Sequence, residues 1–390
     1  MPFLQNLLAA FKGGGAKPVP IAPPFLSGWL PDFDGAGGTR QFDFASAVHQ
    51  GFLSNPVAQR AVRIVAEGVG RAPLNSSDPA LTALVAATSA GQSLIETLAA
   101  HLTLHGNGYV QIVKDASGQP SELFALRPDR VSVQPGPDGW PCGFEYSVQG
   151  TRIVLPLEDE DGWPNVIHIK AMHPLDDQYG AGSLIAAAQA VAIHNAAAEW
   201  NRALLENAAR PSGALVYEPG DGTGLTTEQF ARLKAELAEA FAGAGNAGRP
   251  MLLDGGLKWQ SMALSPADMD FATLKSAAAR DIALAFGVPP MLLGLPGDNT
   301  YANYREANRA LWRLTLLPLA DKLLCALTEG LSAWFPEARL TVDLDQVTAL
   351  SEDRERLWKQ LSEAEFLTRA EKRAMLGLAP EENPPEENAA

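Results

Sequence analysis

Between Asp268 and Leu324 the apolar residues fall at helical spacing on either side of a single polar loop. Phe271, Leu274, Ala278, Ile282 and Ala285 recur at three- and four-residue steps, which predicts an amphipathic helix. Gly287 suits the left-handed conformation that closes a helix, and Val288-Pro289-Pro290 forbids its continuation. After Met291-Leu292-Leu293-Gly294 the chain turns polar over Pro296-Gly297-Asp298-Asn299-Thr300-Tyr301. A second helix is predicted from Asn303, whose side chain would cap it while Glu306 reaches back. It carries Leu311, Leu314, Leu317, Leu324 and Leu327, and Pro318 in its interior predicts a kink rather than an end.

The remaining pattern predicts an α+β chain that is mainly helical. Residues 1–45 are rich in Gly and Pro and read as a short helix and an irregular arm. Asn55-Pro56 opens a helix through Val57, Ala61, Ile64 and Val65. Ser93 with Glu96 opens another, which carries Leu94, Leu98 and Leu102 and ends at Gly106-Asn107-Gly108. The period then changes to two. Tyr109–Val113, Leu123–Leu126, Val131–Gln134, Phe144–Val148, Arg152–Leu155 and Val166–Ile169 predict a small antiparallel sheet on those helices. An alanine-rich helix follows from Ser183 to about Ala209, then a strand at Ala214–Tyr217. Thr227–Phe241 predicts a helix with Phe230, Leu233 and Leu237 inward, and 251–253 with 257–262 a strand pair. Leu340–Leu344 reads as a strand, and 351–376 as two helices broken near Thr368. Residues 381–390, rich in Glu and Pro, predict a disordered tail.

A net charge of −15 over 390 residues argues against a protein that grips nucleic acid, which needs a basic face. It suits equally an ordinary enzyme and a surface past which DNA must slide. Two distant cysteines, Cys142 and Cys325, predict no disulfide framework and a reducing cytoplasm. No stretch has the length and apolarity of a membrane span.

The motifs of catalysis fail on context. Gly243–Gly248 spells G-x-G-x-x-G, but it follows a helix and precedes a strand, the reverse of a dinucleotide loop. His101 and His105 share a helix without the glutamate or third ligand of a zinc site. Ser183 lacks the glycine pattern of a nucleophile elbow and reads as a helix cap. The acidic runs 159–161 and 176–177 lack the ligand spacing of a calcium loop. No catalytic, metal or cofactor site is predicted. Arg305, Arg309 and Arg313, four apart, form one basic stripe on an acidic protein. It points either to pairing within the chain or to an acidic neighbour or phosphate backbone.

The run Ile282–Gly294, with Phe286-Gly287-Val288-Pro289-Pro290 at its centre, resembles the portal proteins of tailed phages, most closely the short portals of the HK97-like family. Further matches stand in the family's order: Asn55-Pro56-Val57, Ile64-Val65-Ala66, Gly106-Asn107-Gly108-Tyr109, and Leu126-Arg127-Pro128 with Val131. Tyr179-Gly180-Ala181-Gly182-Ser183-Leu184 and Asn207 with Pro211-Ser212-Gly213 follow them. Each is weak alone, and their collinearity over roughly residues 50–330 is the specific signal.

The resemblance implies a portal-type fold assembling into a dodecameric ring at one capsid vertex of a virion. Such a ring is made in the bacterial host cytoplasm, lies beside the major capsid protein and conducts double-stranded DNA. It docks the large terminase subunit and then the head–tail adaptor. Carried onto this chain, 1–45 is an N-terminal arm, 46–182 the wing, 183–210 and 261–287 the stem helices, and 211–260 the clip. The region 288–302 holds the tunnel loop, Pro296, Gly297, Asp298, Asn299, Thr300 and Tyr301. Residues 303–350 form the long kinked wing helix and strand, 351–380 a short crown and 381–390 the tail. The loop has no lysine, which argues against an active grip on DNA. Alanine-rich composition suits a phage, a prophage or a gene transfer agent. The rival readings are a nucleotide-dependent enzyme using Gly243–Gly248 and an intracellular scaffold without a DNA role.

Overall fold

The computed structural model describes residues 43–206, 213–217, 226–232, 235, 257–261, 271–296 and 301–378. Most of the expected arm, the Gly243–Gly248 loop, Asn207, Pro211-Ser212 and the tail lie outside them, as do Gly297, Asp298, Asn299 and Thr300.

Local signals set the element starts. Asn55 Oδ1 accepts from the Val57 and Ala58 amides, both at 3.0 Å, and Pro56 sits where no N–H is needed. In chain order, α1 (Phe44–Val48) runs into a π turn (His49–Leu53) and precedes α2 (Pro56–Gly70). Then come β1 (Leu74–Ser76), α3 (Pro79–Ala86), the hairpin β2 (Thr88–Ser89) and β3 (Gln92–Ser93), and α4 (Leu94–Leu104). The six period-two runs form β4 (Asn107–Lys114), β5 (Pro120–Leu126), β6 (Val131–Pro135), β7 (Pro141–Val148), β8 (Thr151–Pro156) and β9 (Val166–Lys170). A long helix α5 (Ser183–Glu206), strands β10 (Gly213–Tyr217) and β11 (Leu257–Ser261) and helix α6 (Phe271–Ala285) follow. The last third holds α7 (Tyr301–Leu311), a π turn (Trp312–Leu316), α8 (Leu317–Gly330), β12 (Leu340–Val342), α9 (Ser351–Glu363) and α10 (Arg369–Leu376).

Instead of one sheet there are two three-stranded antiparallel sheets, β5-β4-β9 and β6-β7-β8. The Pro128–Arg130 turn redirects the chain between them, and a small core of Tyr109, Leu126, Val131, Val133, Phe144 and Tyr179 fills the seam. The main core joins α2, α4, α5, α6 and α8 through Ala61, Val65, Leu98, Leu184, Ile282 and Leu327. β12 returns to pair with β1, Leu74 opposite Val342, and closes the α/β unit. Buried alanines, Ala187, Ala190, Ala278, Ala279 and Ala283, line the helices α5 and α6 where these pack along one another. Small side chains permit that close approach.

Three local expectations change. The helix begins at Tyr301, so Asn303 lies inside it rather than at its cap. The break near Pro318 is a π turn just before the proline, whose wider ring absorbs the missing N–H. β11 pairs with β10, and 251–253, expected beside it, lies outside the described residues. Phe230 is 61% exposed rather than inward.

One crossing holds the α/β unit to α5. Asn107 Oδ1 accepts from the Gly180 amide at 2.8 Å while its Nδ2 donates to the Gly180 carbonyl at 3.2 Å. Gly106 has φ +85°, and a Cβ there would lie 2.4 Å from the Ala181 carbonyl carbon. A Cβ on Gly180 would lie 2.1 Å from the Gly106 oxygen, and one on Gly182 2.4 Å from the Leu104 oxygen. The two Gly-rich motifs are therefore one contact, backbone against backbone. Gly180→Ala is expected to cost about 3 kcal/mol or more, because both neighbours are main chain and cannot yield. Gly118→Ala, at φ +80° with open space around it, is expected to cost about 1 kcal/mol, a contrast that denaturant titration measures.

His105 and His168 both meet Asn107 of that crossing, and His101 lies one helical turn before His105. His168 donates from Nε2 to Asn107 Oδ1 at 3.1 Å and stacks on Tyr109, with ring centroids 4.2 Å apart. Burial pushes His101 and His105 down to about 4 and His168 down to about 3. The folded state thus resists protonation that the unfolded chain accepts below its ordinary value near 6.5. Stability is expected to be full above pH 6.5 and to fall as pH drops from there toward 4. The slope is about 1.4 kcal/mol per pH unit for each buried imidazole. His168→Gln should flatten it in urea titrations across that range.

Candidate functional site

The polar loop is held at its base by two left-handed stops. Gly287, at φ +65°, ends α6 in a full Schellman pattern: its N–H donates to Leu284 at 3.0 Å and that of Val288 to Ala283 at 2.9 Å. Pro289-Pro290 then starts a single 3₁₀ turn that Gly294, at φ +74°, closes. Arg280 of α6 donates to the Pro296 carbonyl, tying the first residue of the loop back to the helix. On the far side Tyr301 is the first residue of α7, 80% exposed, with the Arg305 guanidinium 5.9 Å from its ring centre.

The π turn packs directly on this base. Thr315 Oγ1 donates to the Gly287 carbonyl at 2.7 Å, and a Cβ on Gly287 would lie 2.7 Å from that same oxygen. The bend in the long helix and the end of α6 are therefore one joint. Leu284 and Leu314, on either side of that joint, are 78% and 77% exposed.

The arginine stripe divides. Arg305 pairs with Glu352 at 2.6 Å. Arg309, only 19% exposed, meets Glu306 at 3.0 Å, Glu352 at 3.5 Å and Asp353 at 3.2 Å. Glu352 and Asp353 sit in the first turn of α9, where the helix dipole favours negative charge. Arg313 has no ion-pair or hydrogen-bond partner among the described residues and lies exposed beside Leu314. Two of the three arginines thus brace α7 to α9, a pairing that no local spacing reveals. Beyond it, Arg354 grips Asp345 through two bonds of 2.6 and 3.0 Å and also reaches the Leu376 carbonyl at 3.0 Å. Arg354 holds the Asp345 carboxyl below its usual range.

No cluster of metal-ligating side chains occurs among the described residues, and no described helix is long and apolar enough to cross a membrane. The arrangement comprises two packed helices, a loop base held through Pro296 and Gly287, and a jointed helix behind it. Leu284, Leu314, Tyr301 and Arg313 stand exposed around it.

Residues 56–377 match the model of the phage portal protein family. The chain belongs to that family, and its fold is portal-type. A solved structure of the neck of a native gene transfer agent particle, computed with C12 symmetry, contains a chain 45% identical to it. The match covers 97% of this chain and all of that one, with a TM-score of 0.67. A chain in the virion of the native particle matches at 45% identity over 97% and 99%, with a TM-score of 0.68. A Rickettsia bellii protein of unassigned role is 37% identical over 84% of this chain and 87% of its own length. The crystal structure of an HK97-family portal from Corynebacterium diphtheriae shares the fold at 18% identity, with a TM-score of 0.57 over 77% and 94%.

Arg309→Ala is expected to lower the stability of the isolated subunit by about 1–2 kcal/mol, since it strips three carboxylates of one partly buried cation. Arg313→Ala should leave the subunit's melting temperature unchanged. Thermal melts of the two variants side by side decide whether the stripe acts within the chain or outside it.

Proposed function

We propose that the chain is the portal subunit of a gene transfer agent or phage-like particle, twelve copies forming a ring at one capsid vertex. The observation that carries this is the 45% identity, over nearly the whole of both chains, to a component of a neck with twelvefold symmetry. In that ring α5 and α6 act as the stem, the β10–β11 hairpin belongs to the clip, and the α/β unit forms the wing. Helices α9 and α10 make a short crown. The loop 296–301 faces the channel, with Tyr301 and the main chain of Pro296 at its two roots. Double-stranded DNA passes this loop during packaging and ejection. The clip receives first the large terminase subunit, which supplies the ATP work, and then the head–tail adaptor.

Physical support comes from charge and anchoring. A chain of net charge −15 repels phosphate, so DNA meets few adhesive steps on its way through. A loop without lysine, tied at Pro296 and braced by Gly287–Thr315, is built to touch a moving duplex without holding it. The role is structural, and the nucleotide-dependent reading has no support.

Negative-stain microscopy with mass photometry on the purified chain should show rings of twelve subunits with a central hole. A stable monomer that binds ATP would overturn the assignment. Shortening 296–301 should leave rings intact while reducing DNA-filled particles or DNA retention, counted by electron microscopy and nuclease protection. Loss of the rings themselves would make the loop an assembly element instead.

A further inference from the structure

A second feature of the α/β unit has no part in the channel. A cavity of about 450 Å³ opens between the β2–β3 hairpin, α4, β5 and the turn that leads into β6. Its walls include Thr97, His101, Phe124, Arg127, Arg130 and Tyr146.

Three observations single it out. The Arg130 guanidinium has no ion-pair or hydrogen-bond partner among the described residues. Beside it, Arg127 is fixed in place by Asp129, through bonds of 3.0 and 2.7 Å. His101 Nδ1 is buried and makes no hydrogen bond, a cost that a folded chain seldom leaves unmet. The hairpin turn also carries strain: Ala90 has φ +50° and Gly91 φ +77°, a two-residue turn in which the first position ordinarily takes Asn, Asp or Gly. Backbone strain of this kind persists where the surroundings impose it, and it gathers at binding sites.

The charge is equally informative. Of the nearby acids, Asp129 is paired with Arg127, while Glu122 accepts only from the Ser89 hydroxyl at 2.6 Å and makes no ion pair with Arg130. The Arg130 guanidinium is thus left without a direct carboxylate partner among the described residues, on a chain of net charge −15. The fork of an arginine matches a carboxylate in two parallel bonds. The volume suits one or two side chains, and a nucleic acid duplex is too wide to enter.

We propose that this cavity is a binding site for a carboxylate side chain presented by an acidic peptide segment, with Arg130 as its principal partner. Arg127 flanks the bound carboxylate, while the Thr97 and Tyr146 hydroxyls and the His101 imidazole line the rest of the cleft. The peptide's apolar neighbours rest against Phe124. The site is independent of the channel, and a ring without its occupant remains a ring.

The test is fluorescence anisotropy of a labelled glutamate-rich peptide titrated with the full chain, alongside the same peptide with glutamine in place of glutamate. Saturable binding of the glutamate peptide alone is expected, weakened roughly tenfold or more by Arg130→Ala. Arg130→Lys should recover part of the loss, because charge remains while the fork is gone. Arg313→Ala, which removes an exposed arginine elsewhere, should have no effect. Absence of saturable binding, or equal weakening by Arg130→Ala and Arg313→Ala, would overturn the proposal. Mass photometry of the same variants keeps this result separate from the portal reading, since Arg130→Ala should form rings of unchanged mass.

Discussion

Everything in the subunit depends on how closely two stretches of main chain approach one another. Gly106, Gly180 and Gly182 bring the end of α4 and the start of α5 to distances that leave no room for a side chain. Asn107 then satisfies both the donor and the acceptor of Gly180, so the polar groups brought into this crossing are not left unpaired. The crossing sets the angle at which the long helix leaves the α/β unit. Shift it by an ångström and the displacement grows with distance along α5, so the far end would miss its place in a ring.

A similar economy appears at Gly287. One residue ends a helix, sits beneath Thr315 and offers its carbonyl to that side chain. The π turn is what brings Thr315 there, since its wider spacing rotates the following residues relative to those before it. Helix α6, the base of the loop and the jointed helix thus meet at a single glycine, and a movement of any one of them is felt by the other two.

Much of this was legible in the chain because the signals were local. All six strands stand within a few residues of the period-two runs, and Asn55-Pro56, Ser93 and Thr368 each begin a helix where their chemistry says they should. Asp78-Pro79 carried the same cue for α3 and was overlooked, the segment being short. Three-residue β1 has no alternation to read, and its partner lies near the other end of the chain. The split into two sheets, the pairing of β10 with β11 and the acids facing Arg309 are tertiary facts without a periodic trace. The collinear glycine motifs pointed correctly to the family, and the reason is now physical: two of them are halves of one contact. The cavity at Arg130 was invisible because its walls come from separate segments of the chain.

The pairing of β1 with β12 has a consequence for the order of synthesis. Leu74 finds its partner only when Val342 is available, so the α/β unit stays open at one side until most of the chain has left the ribosome. The seal is therefore a late event by construction: whatever forms earlier in the chain waits, half covered, for a strand made long after it.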